Sequence, residues 1–248
     1  MKAILQAQGL SRHFGALKAI DNVSLSLGAD RIHAVIGTNG AGKSTLIHLL
    51  SGELPPTTGT VTLNGQDITS WSQPRRARAG IGRSYQRNTI FLPLTVRENC
   101  RLAAQAKLQR PWYVWQSAQG CRASNERADE LLERTGLSAV ANKVAASLSH
   151  GQKRQLEVAM CLATSPQVLL LDEPLAGMGA EESERMLELL RRLRAGHAIL
   201  LVEHDMDAVF AVADDITVMV NGSPIASGLP AAVRSNPDVQ AAYLGEHA

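Results

Sequence analysis

Residues 37–45, GTNGAGKST, bring three glycines, a lysine and a Ser-Thr pair into nine positions. Glycines let a backbone adopt left-handed angles and aim successive N–H groups at one anion. The spacing Gly37-x4-Gly42-Lys43-Ser44 fits a loop that holds a nucleoside polyphosphate. Amides from Gly37 through Asn39, Gly40, Ala41 and Gly42 would cradle the phosphates. Lys43 would reach the outer two, the Ser44 hydroxyl would ligate Mg²⁺, and Thr45 would lead into a helix whose N-terminus adds positive potential.

Two further stretches carry chemistry of their own. Residues 168–174, VLLLDEP, end an apolar run on Asp172 and Glu173. Carboxylates in that position emerge at the carboxyl edge of a parallel sheet, where ligands of open α/β folds bind. Asp172 would hold Mg²⁺ through water and Glu173 would act as general base on an attacking water, a role worth roughly 10²- to 10⁴-fold in rate. An acidic cap before Pro174 is the plainer reading. Residues 148–152, LSHGQ, place Ser149 and Gln152 at the spacing of a capping box, which by itself specifies a well-made helix start.

Elements that would hold these residues are legible in the hydrophobic pattern. Residues 3–8 and 22–27 alternate apolar with polar side chains, as half-buried antiparallel strands do. Residues 32–36, 168–171 and 198–202 are continuous apolar runs, which predict parallel strands buried on both faces with helices between them. Apolar spacing of three and four residues predicts helices over 126–135, 153–163, 182–193 and 205–213. Between about 96 and 164 the pattern is helical only, an insertion into an otherwise α/β lobe. With 248 residues, 45% of them hydrophobic, the chain can bury one large core or two modest ones.

Composition excludes several classes. Lys and Arg total 25 against 23 Asp and Glu, a net charge of +2, so no nucleic-acid partner is expected from electrostatics. The basic run RRARAGIGR at 75–83 is expected to form a solvated face. Cys100, Cys121 and Cys161 lack the spacing of a disulfide framework or a zinc site and fit a reducing compartment. No stretch approaches the ~18 apolar residues of a membrane span and no cleavage signal is visible, so a soluble chain able to dock on a membrane partner is expected.

LSHGQ followed some twenty residues later by LLLDEP, both behind a phosphate-binding loop, is the motif order of the ATP-binding cassette (ABC) family. The sequence resembles ABC ATPases over nearly its whole length. LSHGQ is similar to the family signature LSGGQ, with His150 in place of a glycine. The resemblance implies a P-loop NTPase core (RecA-like) of class α/β, with an antiparallel β subdomain and an inserted α-helical subdomain. It implies a single ABC ATPase domain over 1–248, with the nucleotide-binding core in 1–86 and 165–248 and the helical subdomain in 87–164. ATP and Mg²⁺ are the implied ligands.

Further roles follow from the same resemblance. Gln86 matches the glutamine that senses Mg²⁺ or water, His204 the switch histidine that orients the water against the γ-phosphate, and Phe14 the aromatic that stacks on adenine. Ser149, Gly151 and Gln152 would meet ATP held by a second cassette subunit, identical or paralogous, so that two chains close head to tail around two nucleotides. One departure stands out: Gly179 takes the place where the family usually has an Asp that links the two sites, which leaves that link in doubt and predicts slow to moderate turnover with intact nucleotide affinity.

The C-terminal stretch from Glu203 to His247, including the Tyr243-Leu244-Gly245-Glu246 ending, is similar to ATP-binding subunits of bacterial importers of branched-chain and other hydrophobic amino acids. That resemblance implies membrane-embedded permease subunits as direct partners and a periplasmic solute-binding protein as an indirect one. The chain would lie peripherally on the cytoplasmic face of the inner membrane. Trp112 and Trp115 would either pack internally or meet a membrane-embedded partner. A cassette for lipid or lipopolysaccharide transport and a non-transport cassette acting on nucleic acid or ribosomes are the alternatives.

Overall fold

The computed structural model describes residues 3–85, 89–108 and 121–244. Gln86, Trp112 and Trp115, and the Gly245-Glu246 end of the tail, lie outside the described residues. Along the chain the elements run β1 (Ala3–Phe14), β2 (Leu17–Gly28), β3 (Arg31–Gly37), α1 (Lys43–Ser51), β4 (Thr58–Leu63), β5 (Gln66–Asp67), α2 (Gln73–Arg78) and β6 (Ile81–Arg83). Helices α3 (Val96–Leu108), α4 (Arg122–Arg134) and α5 (His150–Leu162) follow, with no strand between them among the described residues. The chain then returns to β7 (Val168–Asp172), α6 (Ala180–Arg194), β8 (Ala198–Val202), α7 (Met206–Val212), β9 (Asp215–Val220), β10 (Ser223–Gly228), α8 (Pro230–Arg234) and α9 (Pro237–Leu244).

Among the described residues two sheets form, and the predicted strand types hold. The alternating N-terminal segments pair antiparallel in a sheet of order β2-β1-β4-β5, whereas the continuous apolar runs enter a sheet of order β10-β9-β3-β8-β7-β6. In that second sheet β3, β6, β7, β8 and β9 pair in parallel and β10 is antiparallel. All five residues of β7 and of β8 are buried, as sheet positions covered on both faces must be. Register decides what leaves the carboxyl edge: Val35 pairs with Val202, and Val202 with Asp172. The residues that follow these three therefore emerge side by side.

Packing divides accordingly. One core joins the antiparallel sheet, α1 and one face of the parallel sheet through Leu5, Leu10, Val23, Leu46, Leu50 and Leu200. A second lies on the opposite face under α6 and α7. Helices α3, α4 and α5 enclose a third around Val96, Cys100, Leu132 and Leu156.

The basic run at 75–83 is not a solvated face throughout, contrary to the expectation from its charge. Arg75 and Arg78 are exposed, but Arg76 is only 1% exposed. Its guanidinium donates to the carbonyls of Leu49 (2.8 Å) and Leu50 (2.9 Å) at the end of α1, and to those of Thr69 (2.8 Å) and Trp71 (3.2 Å). A helix end leaves its last carbonyls without backbone partners, and one buried arginine serves two of them here. Arg83 is also buried against Glu53 and donates to Ser51 Oγ at 3.0 Å.

Candidate nucleotide site

Residues 37–45 follow β3 and open α1, as their spacing requires. A Cβ on Gly37 would come within 2.1 Å of the Met219 carbonyl, and one on Gly42, at φ 95°, within 2.4 Å of the Ala19 carbonyl. Both positions therefore exclude side chains by space. Lys43 is buried and its Nζ donates to the carbonyls of Gly37 (2.6 Å) and Thr38 (3.0 Å). The ammonium thus closes the loop on itself and stands where phosphate oxygens can exchange with carbonyls as acceptors.

A cleft of about 710 Å³ opens above the loop. Asn39 through Thr45 line it together with Phe14, Lys18 and Glu173. Phe14 is 45% exposed; the Arg12 guanidinium covers one face of its ring, 4.7 Å from the centroid, which leaves the other face for a planar ligand. Leu17, Ala19 and Asn221 also line the cleft. No pattern in the sequence marks these three, because the β1–β2 hairpin and the end of β9 reach the cleft only through tertiary folding.

Asp172 closes β7 with a buried carboxyl, and among the described residues its Oδ1 has no hydrogen-bond partner. Burial and the neighbouring Glu173 push its pKa up, while Arg83, His48 and Lys43 oppose the shift. An orphaned buried carboxylate oxygen beside a hydroxyl-bearing loop is a hard donor set suited to Mg²⁺, which needs few protein ligands when phosphate supplies the rest. Among the described residues no cluster of three His, Cys, Asp or Glu side chains could hold a metal without such help. Ser84, just after β6, fixes this end of β7: its Oγ accepts from the Asp172 N–H at 3.0 Å.

Glu173 sits at φ 48°, a left-handed conformation costly for a residue with a side chain. Its N–H bonds to the Val202 carbonyl at 2.9 Å. Glu203 follows β8 and is completely buried. One of its oxygens accepts from the Leu175 N–H at 2.8 Å, the other from the His204 N–H at 3.3 Å. Burial raises its pKa to about 7, against the pull of those two amides. The sequence signal for Glu203 is a carboxylate placed directly on the end of a five-residue apolar strand. His204 itself is 61% exposed, with Nδ1 3.7 Å from Glu203.

Ser149, Gly151 and Gln152 lie apart from this cleft. They line a separate hollow of about 140 Å³ with Glu182 and Arg185. The capping box forms in both directions, with Gln152 N–H to Ser149 Oγ at 3.2 Å and Ser149 N–H to Gln152 Oε1 at 3.1 Å. Ser149 Oγ also donates to Glu182 at 2.8 Å. His150 turns away from the hollow and bonds the Ala176 carbonyl at 2.8 Å. The structure therefore gathers Phe14, the loop and Glu173 into one cleft, and sets the signature residues in another. Gly179 precedes α6 in an extended conformation, with no described atom within 4 Å of where a Cβ would stand.

A mostly parallel sheet with a glycine-rich strand-to-helix loop, carboxylates at the end of a nearby strand and a helical insertion defines a P-loop ATPase of the cassette type. Comparison with known proteins gives the family. Residues 20–176 match the ABC transporter family model, and residues 223–248 match that of the branched-chain amino acid ATP-binding cassette transporter. The chain is 41% identical to the high-affinity branched-chain amino acid transport ATP-binding protein LivG of Salmonella typhimurium, covering 98% of each chain. It is 37% identical to BraF of Pseudomonas aeruginosa, which carries the same description, over 99% of each. Among solved structures, the ADP conformation of MJ1267, an ATP-binding cassette of an ABC transporter, superposes with a TM-score of 0.89 at 31% identity, covering 99% of this chain and 100% of that one. The chain belongs to the ABC transporter family.

Proposed function

We propose that this chain is the ATP-hydrolysing subunit of an importer of branched-chain or other hydrophobic amino acids. Its relatives' names and the match at 223–248 support the solute class. Among the described residues no helix is long and apolar enough to cross a membrane, which fits a subunit that energises separate permease chains from the cytoplasmic face. Residues 87–164 serve as its helical subdomain.

The observation that carries the mechanism is the separation of the two clefts. The loop and Glu173 share one, while Ser149, Gly151 and Gln152 line the other. A site completed by a second copy, or by a paralogue, reconciles them. Phe14 stacks on the adenine, the amides from Gly37 to Thr45 hold the phosphates, and Lys43 exchanges its carbonyl partners for phosphate oxygens. Ser44, Asp172 and Gln86 would hold Mg²⁺, which when bound neutralises charge on the outer phosphates. Glu173 takes the proton of the attacking water, His204 swings in to orient it, and the partner's signature helix tip meets the γ-phosphate.

A complementation experiment tests this arrangement. Lys43→Ala should lose ATP retention, and a Ser149 variant should retain ATP but hydrolyse poorly. Mixing the two should restore turnover, because one composite site then combines the intact loop of one copy with the intact signature of the other. Failure of Lys43→Ala to lose ATP, or hydrolysis independent of protein concentration, would overturn the scheme. Loss of labelled leucine uptake in cells carrying only Lys43→Ala tests the solute class.

A further inference from the structure

Two segments with proposed catalytic roles leave the sheet side by side: the turn bearing Glu173 after β7, and His204 after β8. A single side chain joins them. Glu203 is wholly buried, and its two oxygens accept from the N–H groups of Leu175 (2.8 Å) and His204 (3.3 Å). Around it the backbone is stitched further, with Glu173 N–H to Val202 O at 2.9 Å and Glu203 N–H to Val35 O at 3.3 Å. The strand carrying Glu203 is thereby tied both to the base and to the strand that feeds the phosphate loop.

We propose that Glu203 is a positioning residue for hydrolysis, its buried carboxyl locking the Glu173 turn and the His204 backbone into one unit. This rests on the assignment of Glu173 as base. Three features support it. A carboxyl with no solvent exposure is expensive to bury unless each oxygen is used, and both are used on these two segments. Glu173 holds a left-handed conformation, which persists only when its surroundings over-determine it; the bond to Leu175, two residues on, supplies part of that constraint. The second oxygen lies 3.7 Å from His204 Nδ1, so a small rotation of the exposed imidazole would bring it onto the same carboxyl and fix which ring nitrogen faces the nucleotide.

The chemistry of the side chain provides the test. Two amide donors converge on it, so two acceptors are needed. A glutamine of the same shape offers one acceptor and one donor, and must leave either Leu175 or His204 facing a like donor. In the full-length chain, Glu203→Gln should keep ATP affinity within about twofold and lower the single-turnover hydrolysis rate by about 10- to 100-fold, the scale of a sub-ångström to 1 Å misplacement of a reacting group. Glu203→Asp, with both acceptors on a shorter stem, should recover part of that loss. Amide hydrogen exchange at Leu175 or His204 should accelerate in Glu203→Gln.

A double-variant cycle separates positioning from general damage. If Glu203 acts through the base, adding Glu203→Gln to Glu173→Gln should change the residual rate by less than about twofold. Full turnover in folded Glu203→Gln, or ATP affinity falling in parallel with rate, would overturn the proposal. Should Glu203→Gln fail to fold, Glu203→Asp carries the test alone: normal exchange at both amides together with normal turnover would overturn it. Full turnover in Glu173→Gln would instead refute the base assignment, a result distinguishable from loss in Glu173→Gln with no loss in the Glu203 variants.

Discussion

Replacing Arg76 by methionine should destabilise the chain by about 2–4 kcal/mol. The guanidinium is 1% exposed and donates to four carbonyls. Methionine fills similar space with no donor. The Leu49 carbonyl keeps a second partner, the Gly52 N–H at 3.3 Å, which leaves those of Leu50, Thr69 and Trp71 to lose theirs. The bond to Leu50 is buried and those to Thr69 and Trp71 are partly buried, so the first orphan costs about 1–3 kcal/mol and the other two less. Part of the total is recovered because no charge has to be desolvated, and burial already depresses the pKa of Arg76 to about 10. What remains is about 2–4 kcal/mol, toward the upper end of what a single substitution costs. Urea unfolding of wild type and Arg76→Met, with m unchanged, measures the difference. ATP affinity of the folded fraction should stay within about twofold, because Arg76 holds the far end of α1 from the phosphate loop. A loss below about 1 kcal/mol would mean that water replaces the guanidinium, and would restore the solvated-face reading of the basic run.

Three other outcomes are expected. Gly42→Ala places a Cβ at 2.4 Å from the Ala19 carbonyl in a left-handed conformation, and strain of about 1–3 kcal/mol in the loop should weaken ATP binding by roughly 5- to 150-fold in equilibrium titration. Gly179→Asp meets open space at φ −75° and should alter stability by less than about 0.5 kcal/mol; any gain in two-site cooperativity of hydrolysis is then attributable to the added carboxylate. Glu203, faced by His204 and Glu173, has a folded pKa raised from 4.5 to about 7. The folded state therefore holds its proton more tightly, and the contribution to stability is complete below about pH 4.5 and lost as pH rises to about 7. The unfolding free energy of wild type relative to Glu203→Gln should fall by an amount on the order of 3 kcal/mol across that window, measured by denaturant titration at a series of pH values. A flat difference would refute the shift.

The sequence by itself determined the local parts of this protein. The glycine spacing of residues 37–45 reflects Cβ clashes at Gly37 and Gly42, a constraint any chain must meet to close such a loop. Strand type in both sheets was legible because burial on one face or two writes itself into hydrophobic alternation, and the Ser149–Gln152 cap because its bonds span three residues. Tertiary structure decided what depends on neighbours distant along the chain. The charge of RRARAGIGR pointed outward, yet Arg76 turned inward because α1 ends beside it with carbonyls to satisfy. Glu203 looked like one more polar residue after a strand, until the register of β7 against β8 set the Leu175 amide over its carboxyl. Ser84, Leu17 and Asn221 joined the site on the same terms. Hydrophobic period and glycine spacing are properties of a chain segment, whereas the partner of a buried polar group is a property of the packed whole.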